Sequence, residues 1–87
     1  MLEELLTQID DIKLMKAFLK DLCTPKELKS LQERLLVARL LSEGELSYRE
    51  IHARTNVSLV TITRVARFLK TEKNNGYRKA FKFMKEQ

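Results

Sequence analysis

The sequence predicts an all-α fold with a helix-turn-helix in its second half. Three observations carry that expectation. Apolar residues recur at spacings of three and four along most of the chain, two Ser/Thr-x-x-Glu segments mark helix starts, and a short helical stretch is followed by a three-residue break and a longer amphipathic one. With 87 residues there is room for one domain, expected over 1–87.

The first expected element is an N-terminal helix in the segment 1–22, striped by Leu2, Leu5, Leu6, Ile9, Ile12, Met15, Leu19 and Leu22. Leu14 and Phe18 make the stripe wider than one flank of a small core requires. A hydrophobic content of 44% in so short a chain points the same way, towards dimerisation through this segment.

Thr24-Pro25-Lys26-Glu27 is a capping box with proline at the first helical position, where its missing N–H costs no bond. It opens a central helix over 25–43, expected to line one face with Leu28, Leu31, Leu35, Ala38 and Leu41 and to stop at Gly44. A second box, Ser47-Tyr48-Arg49-Glu50, follows, with Leu46 and Ile51 at the staple positions. The helix it starts runs over 48–54. Thr55-Asn56-Val57 breaks it, with Asn56 suited to a left-handed conformation, and Ser58 caps a helix over 59–71. The helix-turn-helix is therefore expected over 47–71. Asn74-Asn75-Gly76 makes a last break before a closing helix over 76–87, with Tyr77, Ala80, Phe81 and Met84 inward and Lys79, Lys82 and Lys85 outward.

Charge separates along the chain. Residues 1–40 hold as many acidic as basic side chains, so the whole net charge of +5 lies in residues 41–87. A basic half of this kind suits a polyanion. On the helix over 59–71, Leu59, Ile62, Val65, Ala66 and Leu69 share one side, while Val60, Thr63, Arg64 and Arg67 share the other. A helix entering the major groove needs a buried face to hold it and short or basic side chains on its outer face. Thr61 and Thr63 bring hydroxyls and methyls for base edges, and the arginines suit guanines or phosphates.

Other functions are disfavoured. One histidine and one cysteine, far apart, make neither a catalytic nor a metal site, and no glycine-rich phosphate loop is present. Neither an enzyme nor any metal or cofactor is expected. Cys23 has no internal partner for a disulfide, which fits a cytoplasmic protein; no leader and no membrane span are expected.

The segments Leu22-Cys23-Thr24-Pro25-Lys26-Glu27, Gly44-Glu45-Leu46-Ser47-Tyr48-Arg49-Glu50 and Thr61-Ile62-Thr63-Arg64 together resemble the Trp repressor superfamily, and within it the Trp repressor-like branch of the YerC/YecD type. The resemblance covers residues 22–70 without gaps. It implies an intertwined all-helical homodimer that presents one helix-turn-helix per chain to a pseudo-palindromic double-stranded operator. Carried over residue by residue, Arg49 would reach base or backbone at the groove edge, and Tyr48 and His52 would lie near phosphates. Leu59, Val60, Thr61 and Thr63 would face bases, and Lys70 would touch backbone. The repressor's tryptophan pocket maps onto Thr24, Arg34, Arg64, Val65 and Phe68. Val65 stands where the repressor has glycine and Phe68 where it has serine, so their bulk fills a close-packed site. Tryptophan is accordingly not the expected effector, and the resemblance names no other.

Two positions depart from the usual helix-turn-helix pattern: Thr55 where an apolar residue is common, and His52 where a small one is. The alternative to a sequence-specific regulator is a helical dimer serving as a protein-interaction or non-specific DNA-binding module. Sequence preference in salt-sensitive DNA binding separates the two.

Overall fold

The computed structural model describes residues 1–85, and within them every regular element is a helix. Six follow in order: α1 Leu2–Gln8, α2 Ile12–Leu22, α3 Pro25–Glu43, α4 Tyr48–Thr55, α5 Leu59–Lys70 and α6 Gly76–Lys85. Residues 86 and 87 of the expected closing helix, and the expected outward placing of Lys85, lie outside what is described. No helix among the described residues is long and apolar enough to cross a membrane. Where one domain over 1–87 is expected, the contacts divide into two compact units, 1–31 and 32–87, with the division falling inside α3.

In the first unit the single helix expected over 1–22 is two. Ile9 leaves α1 in an extended conformation (φ −83°, ψ 112°), and Asp11 takes the N-cap of α2, its carboxylate accepting from the Lys13 amide at 3.1 Å. A carboxylate there satisfies a free N–H and sits at the positive end of the helix dipole. The apolar spacing resumes in phase at Ile12, so periodicity alone hides the break. No residue of α1 or α2 is buried; Ile12 is 68% and Leu14 54% exposed. Cys23 ends α2 in an extended conformation. Thr24 then opens α3 through the expected reciprocal box: its Oγ1 accepts from the Glu27 amide at 3.1 Å, and its own amide donates to Glu27 Oε1 at 2.9 Å.

The second unit holds the core: Val37, Ala38 and Leu41 of α3, Ile51 of α4, Val57 of the following turn, Ile62, Val65, Ala66 and Leu69 of α5, and Phe81 of α6. No polar side chain is buried among the described residues. Ile51, Ile62, Val37 and Val65 are sealed from solvent almost completely, and burying each such side chain is worth about 1.5–3 kcal/mol. The face that α3 offers differs from the expected one. Val37 joins Ala38 and Leu41, whereas Leu31 and Leu35, with Leu36, stay half exposed. The run Leu35-Leu36-Val37-Ala38-Arg39-Leu40-Leu41 is apolar on more than one side, so spacing does not single out the buried one. Gly44 ends α3 at φ +74°; a Cβ there would meet nothing within 4 Å, so the backbone angle rather than crowding calls for glycine.

Asn75, at φ 57°, turns the chain into α6. Arg78 reaches back to the carboxyl end of α5, its Nε donating to the Leu69 carbonyl at 2.8 Å and satisfying a group the helix leaves open. Phe81 is buried and stacks on half-buried Tyr77 with centroids 6.1 Å apart. Ala80 and Met84, expected inward, are exposed: a helix lying on a core with one edge buries one residue per turn rather than a broad stripe.

Candidate nucleic-acid interface

Local hydrogen bonding fixes the geometry of α4, the turn and α5. Ser47 caps α4 through a complete box: its Oγ accepts from the Glu50 amide at 3.1 Å, and its amide donates to Glu50 Oε1 at 2.9 Å. The Ser47 backbone bond first, and its side-chain bond second, hold the exposed Glu50 carboxyl below its ordinary value of 4.5. The Thr24 box acts on Glu27 in the same direction. Half-buried Leu46 and buried Ile51 occupy the staple positions.

Asn56 turns the chain at φ 62°, ψ 13°, its N–H donating to the His52 carbonyl. The two residues that depart from the usual pattern both serve the turn. Thr55 Oγ1 donates to the Ile51 carbonyl at 2.7 Å and accepts from the Val57 amide at 3.1 Å, so a hydroxyl at this half-buried position is fully bonded. His52 Nδ1 donates to the Val57 carbonyl at 2.7 Å. That bond fixes which ring nitrogen carries hydrogen in the neutral form and ties α4 to the entry of α5. Ser58 then caps α5, accepting from the Thr61 amide at 3.2 Å and donating to Thr61 Oγ1 at 3.0 Å.

With Ile62, Val65, Ala66 and Leu69 buried, α5 turns a defined face outwards. Val60 is 82% exposed, and Thr63, Arg64, Arg67 and Lys70 are exposed with it. Leu59, which the periodicity places on the inner side and the resemblance places towards bases, is the first residue of α5 and is 45% exposed. Thr61 is half buried. On α4, Tyr48, Arg49 and His52 are exposed. These ten positions therefore share one folded unit, and all but Thr61 reach solvent freely.

Their hydrogen bonding narrows what each can offer. Thr63 Oγ1 donates to the Leu59 carbonyl at 2.8 Å, so its hydroxyl faces a ligand as an acceptor beside a methyl. Thr61 Oγ1 accepts from Ser58, which leaves its own hydrogen for donation. The cations are partly held. Lys70 Nζ lies 5.5 Å from the centroid of the Tyr48 ring. Arg64 and Arg67 place their guanidinium carbons 4.5 and 5.0 Å from that of Phe68, and Arg67 also approaches Glu72 at 3.9 Å. The part of Glu72 and the sharing of Phe68 by two arginines escape a reading by composition, although the Arg64–Phe68 spacing of four was visible.

The positions mapped to a small-molecule pocket have other engagements. Val65 is 1% exposed and belongs to the apolar core. Phe68 is half buried beneath the two arginines, Arg34 is half buried on α3, and Thr24, in the first unit, is occupied as the cap of α3.

A family model described as Trp repressor protein matches residues 1–85. The chain is 41% identical over 78 residues to the uncharacterized protein YerC of Bacillus subtilis, a match covering 90% of this chain and 73% of that one. It is also similar to the crystal structure of a TrpR-like protein from Eubacterium eligens, with a TM-score of 0.88 at 33% identity, over 97% of this chain and 84% of the other.

Proposed function

The chain belongs to the Trp repressor family, a family of DNA-binding regulators, and from that premise we propose that it is a homodimeric, sequence-specific repressor. Each protomer would lay α5 in the major groove of one half of a two-fold-symmetric operator, with α4 across the backbone. The observation that carries this reading is the outer face of α5. Val60, Thr63 and Arg64 stand exposed, while Ile62, Val65, Ala66 and Leu69 clamp the opposite side into the core. A helix held so firmly from behind fixes the register of its outer side chains against base edges. Arg49, Tyr48, His52, Arg67 and Lys70 flank that face and supply phosphate contacts.

The same reading has the protein act in the cytoplasm without tryptophan. Val65 belongs to the core and Phe68 lies under two arginines, which supports the reading that their bulk fills the place where the related repressor would hold an indole.

Selection of random duplexes by the purified protein at near-physiological salt, followed by sequencing, tests the proposal. An enriched two-fold-symmetric site is the expected result. Retention of DNA without enrichment, by folded protein, would overturn it in favour of a non-specific accessory role. Absence of retention would favour a protein-interaction module.

A further inference from the structure

Phe68 is the one aromatic residue of α5, and two guanidiniums of the same helix share its ring. The ring is rooted: it is half buried, next to buried Leu69 and three residues on from buried Val65. Arg64, four residues earlier, approaches it to 4.5 Å; Arg67, adjacent in sequence, approaches it to 5.0 Å. Both distances fall within the range over which a ring quadrupole attracts a cation. Among the described residues Arg64 makes no ion pair, so its contact with the ring is what restrains it. Arg67 is held between the ring and Glu72.

We propose that Phe68 is a positioning residue for operator recognition, a platform that orders Arg64 and Arg67 on the outer face of α5 before DNA arrives. This rests on the reading of the protein as a sequence-specific regulator and extends it to a residue that touches no base. A free arginine side chain loses rotamer freedom when a base or phosphate captures it, and that loss counts against binding. The ring removes part of it in advance, with both positive charges kept. The effect therefore falls on geometry-dependent contacts and not on counterion release, which follows charge alone.

The test compares Phe68→Leu, which keeps apolar bulk without a π face, with Phe68→Tyr, which keeps the face. Binding is measured on the selected duplex and on a scrambled one across a salt series. Expected for Phe68→Leu is about a tenfold loss per half-site on the selected duplex, the scale set by ordering one or two long side chains at binding, with affinity for the scrambled duplex and the salt slope unchanged. Phe68→Tyr should restore the selective affinity. In a protein carrying Arg64→Ala and Arg67→Ala, Phe68→Leu should have no further effect on selectivity, since the ring then has nothing to position. Without DNA, nuclear magnetic resonance of the arginine Nε–H groups should show them ordered in wild type and in Phe68→Tyr, and mobile in Phe68→Leu.

Equal loss on both duplexes, persistence of the loss without the two arginines, or unchanged arginine order in Phe68→Leu would overturn the inference, because each describes a packing role alone. Failure of wild type to select any duplex overturns the underlying regulator reading. A selected duplex that Phe68→Leu binds as well as wild type overturns this inference alone.

Discussion

Thr63 gives the sharpest test of the reading face. It is exposed on α5, and its hydroxyl hydrogen is committed to the Leu59 carbonyl at 2.8 Å. What remains for a base pair is an acceptor lone pair and a methyl group. In the major groove an acceptor meets the exocyclic amino group of adenine or cytosine, and a methyl meets thymine. Thr63→Ala removes both features; Thr63→Val removes only the acceptor. Neither reaches the core, and alanine is the better helix former by roughly 0.5 kcal/mol, so thermal stability should hold or rise in Thr63→Ala. Binding should move the other way. An amino group left facing an apolar side chain in a closed interface loses about 1–3 kcal/mol per half-site, a factor of about 5–160 for each half-site and about the square of that in the Kd of a dimer on its operator. Fluorescence anisotropy on the selected duplex, beside a melting curve for each variant, reads both quantities. A weak Thr63→Ala with a wild-type-like Thr63→Val would assign the contact to the methyl. If Thr63→Ala bound the duplex as wild type does, the assignment of the reading face would be wrong.

Three further outcomes are expected. Arg64→Ala should weaken operator binding by about 1–3 kcal/mol per half-site, whereas Lys79→Ala, on the exposed side of α6, should bind within error of wild type; equal losses would move the interface away from α5. Calorimetric titration with tryptophan should give no stoichiometric, micromolar binding, and such binding would refute the filling of the pocket by Val65 and Phe68. The Glu50 carboxyl is held below 4.5 in the fold, so its contribution to stability is complete above that value and lost as pH falls through the lowered one. Melting temperature should therefore drop with acidification below 4.5, and less steeply in Glu50→Gln; an unchanged slope would remove the capping box as its source.

The parts of this fold legible in the sequence are those fixed by neighbours along the chain. Both capping boxes, the left-handed Asn56 and the glycine after α3 were readable because each demands a particular residue type within a few positions. The break at Ile9 was not, although Asp11 before Ile12 is itself an N-cap signal, because the apolar spacing runs through it unaltered. Periodicity likewise gave Leu31 and Leu35, or Ala80 and Met84, the same standing as true core residues. It reports spacing, while burial depends on which other element comes to lie there. In the candidate interface, exposure followed from the helical wheel except at Leu59, but the direction of hydrogen bonds did not. That Thr63 is left as an acceptor and Thr61 with a free hydrogen depends on rotamers that only coordinates supply.

The distribution of burial also bears on how recognition and association are connected. All core residues lie between Val37 and Phe81, so the unit carrying α4 and α5 has an apolar interior of its own. None of the seven residues of α1 or the eleven of α2 is fully buried, although Leu6, Met15, Phe18 and Leu19 are half buried, and isolated helices shorter than about 12–15 residues are marginal in water. In the proposed homodimer the second copy would supply these two helices with further apolar contact. Association would then add to the order of the first unit, while the burial behind α5 is already complete within the single chain. On the proposed function each chain would read a half-site with a helix already set in its own core, and dimerisation would place two such helices about one turn of DNA apart. Selectivity for a base would then be set within α5, and selectivity for symmetry and spacing by the apolar faces of α1 and α2.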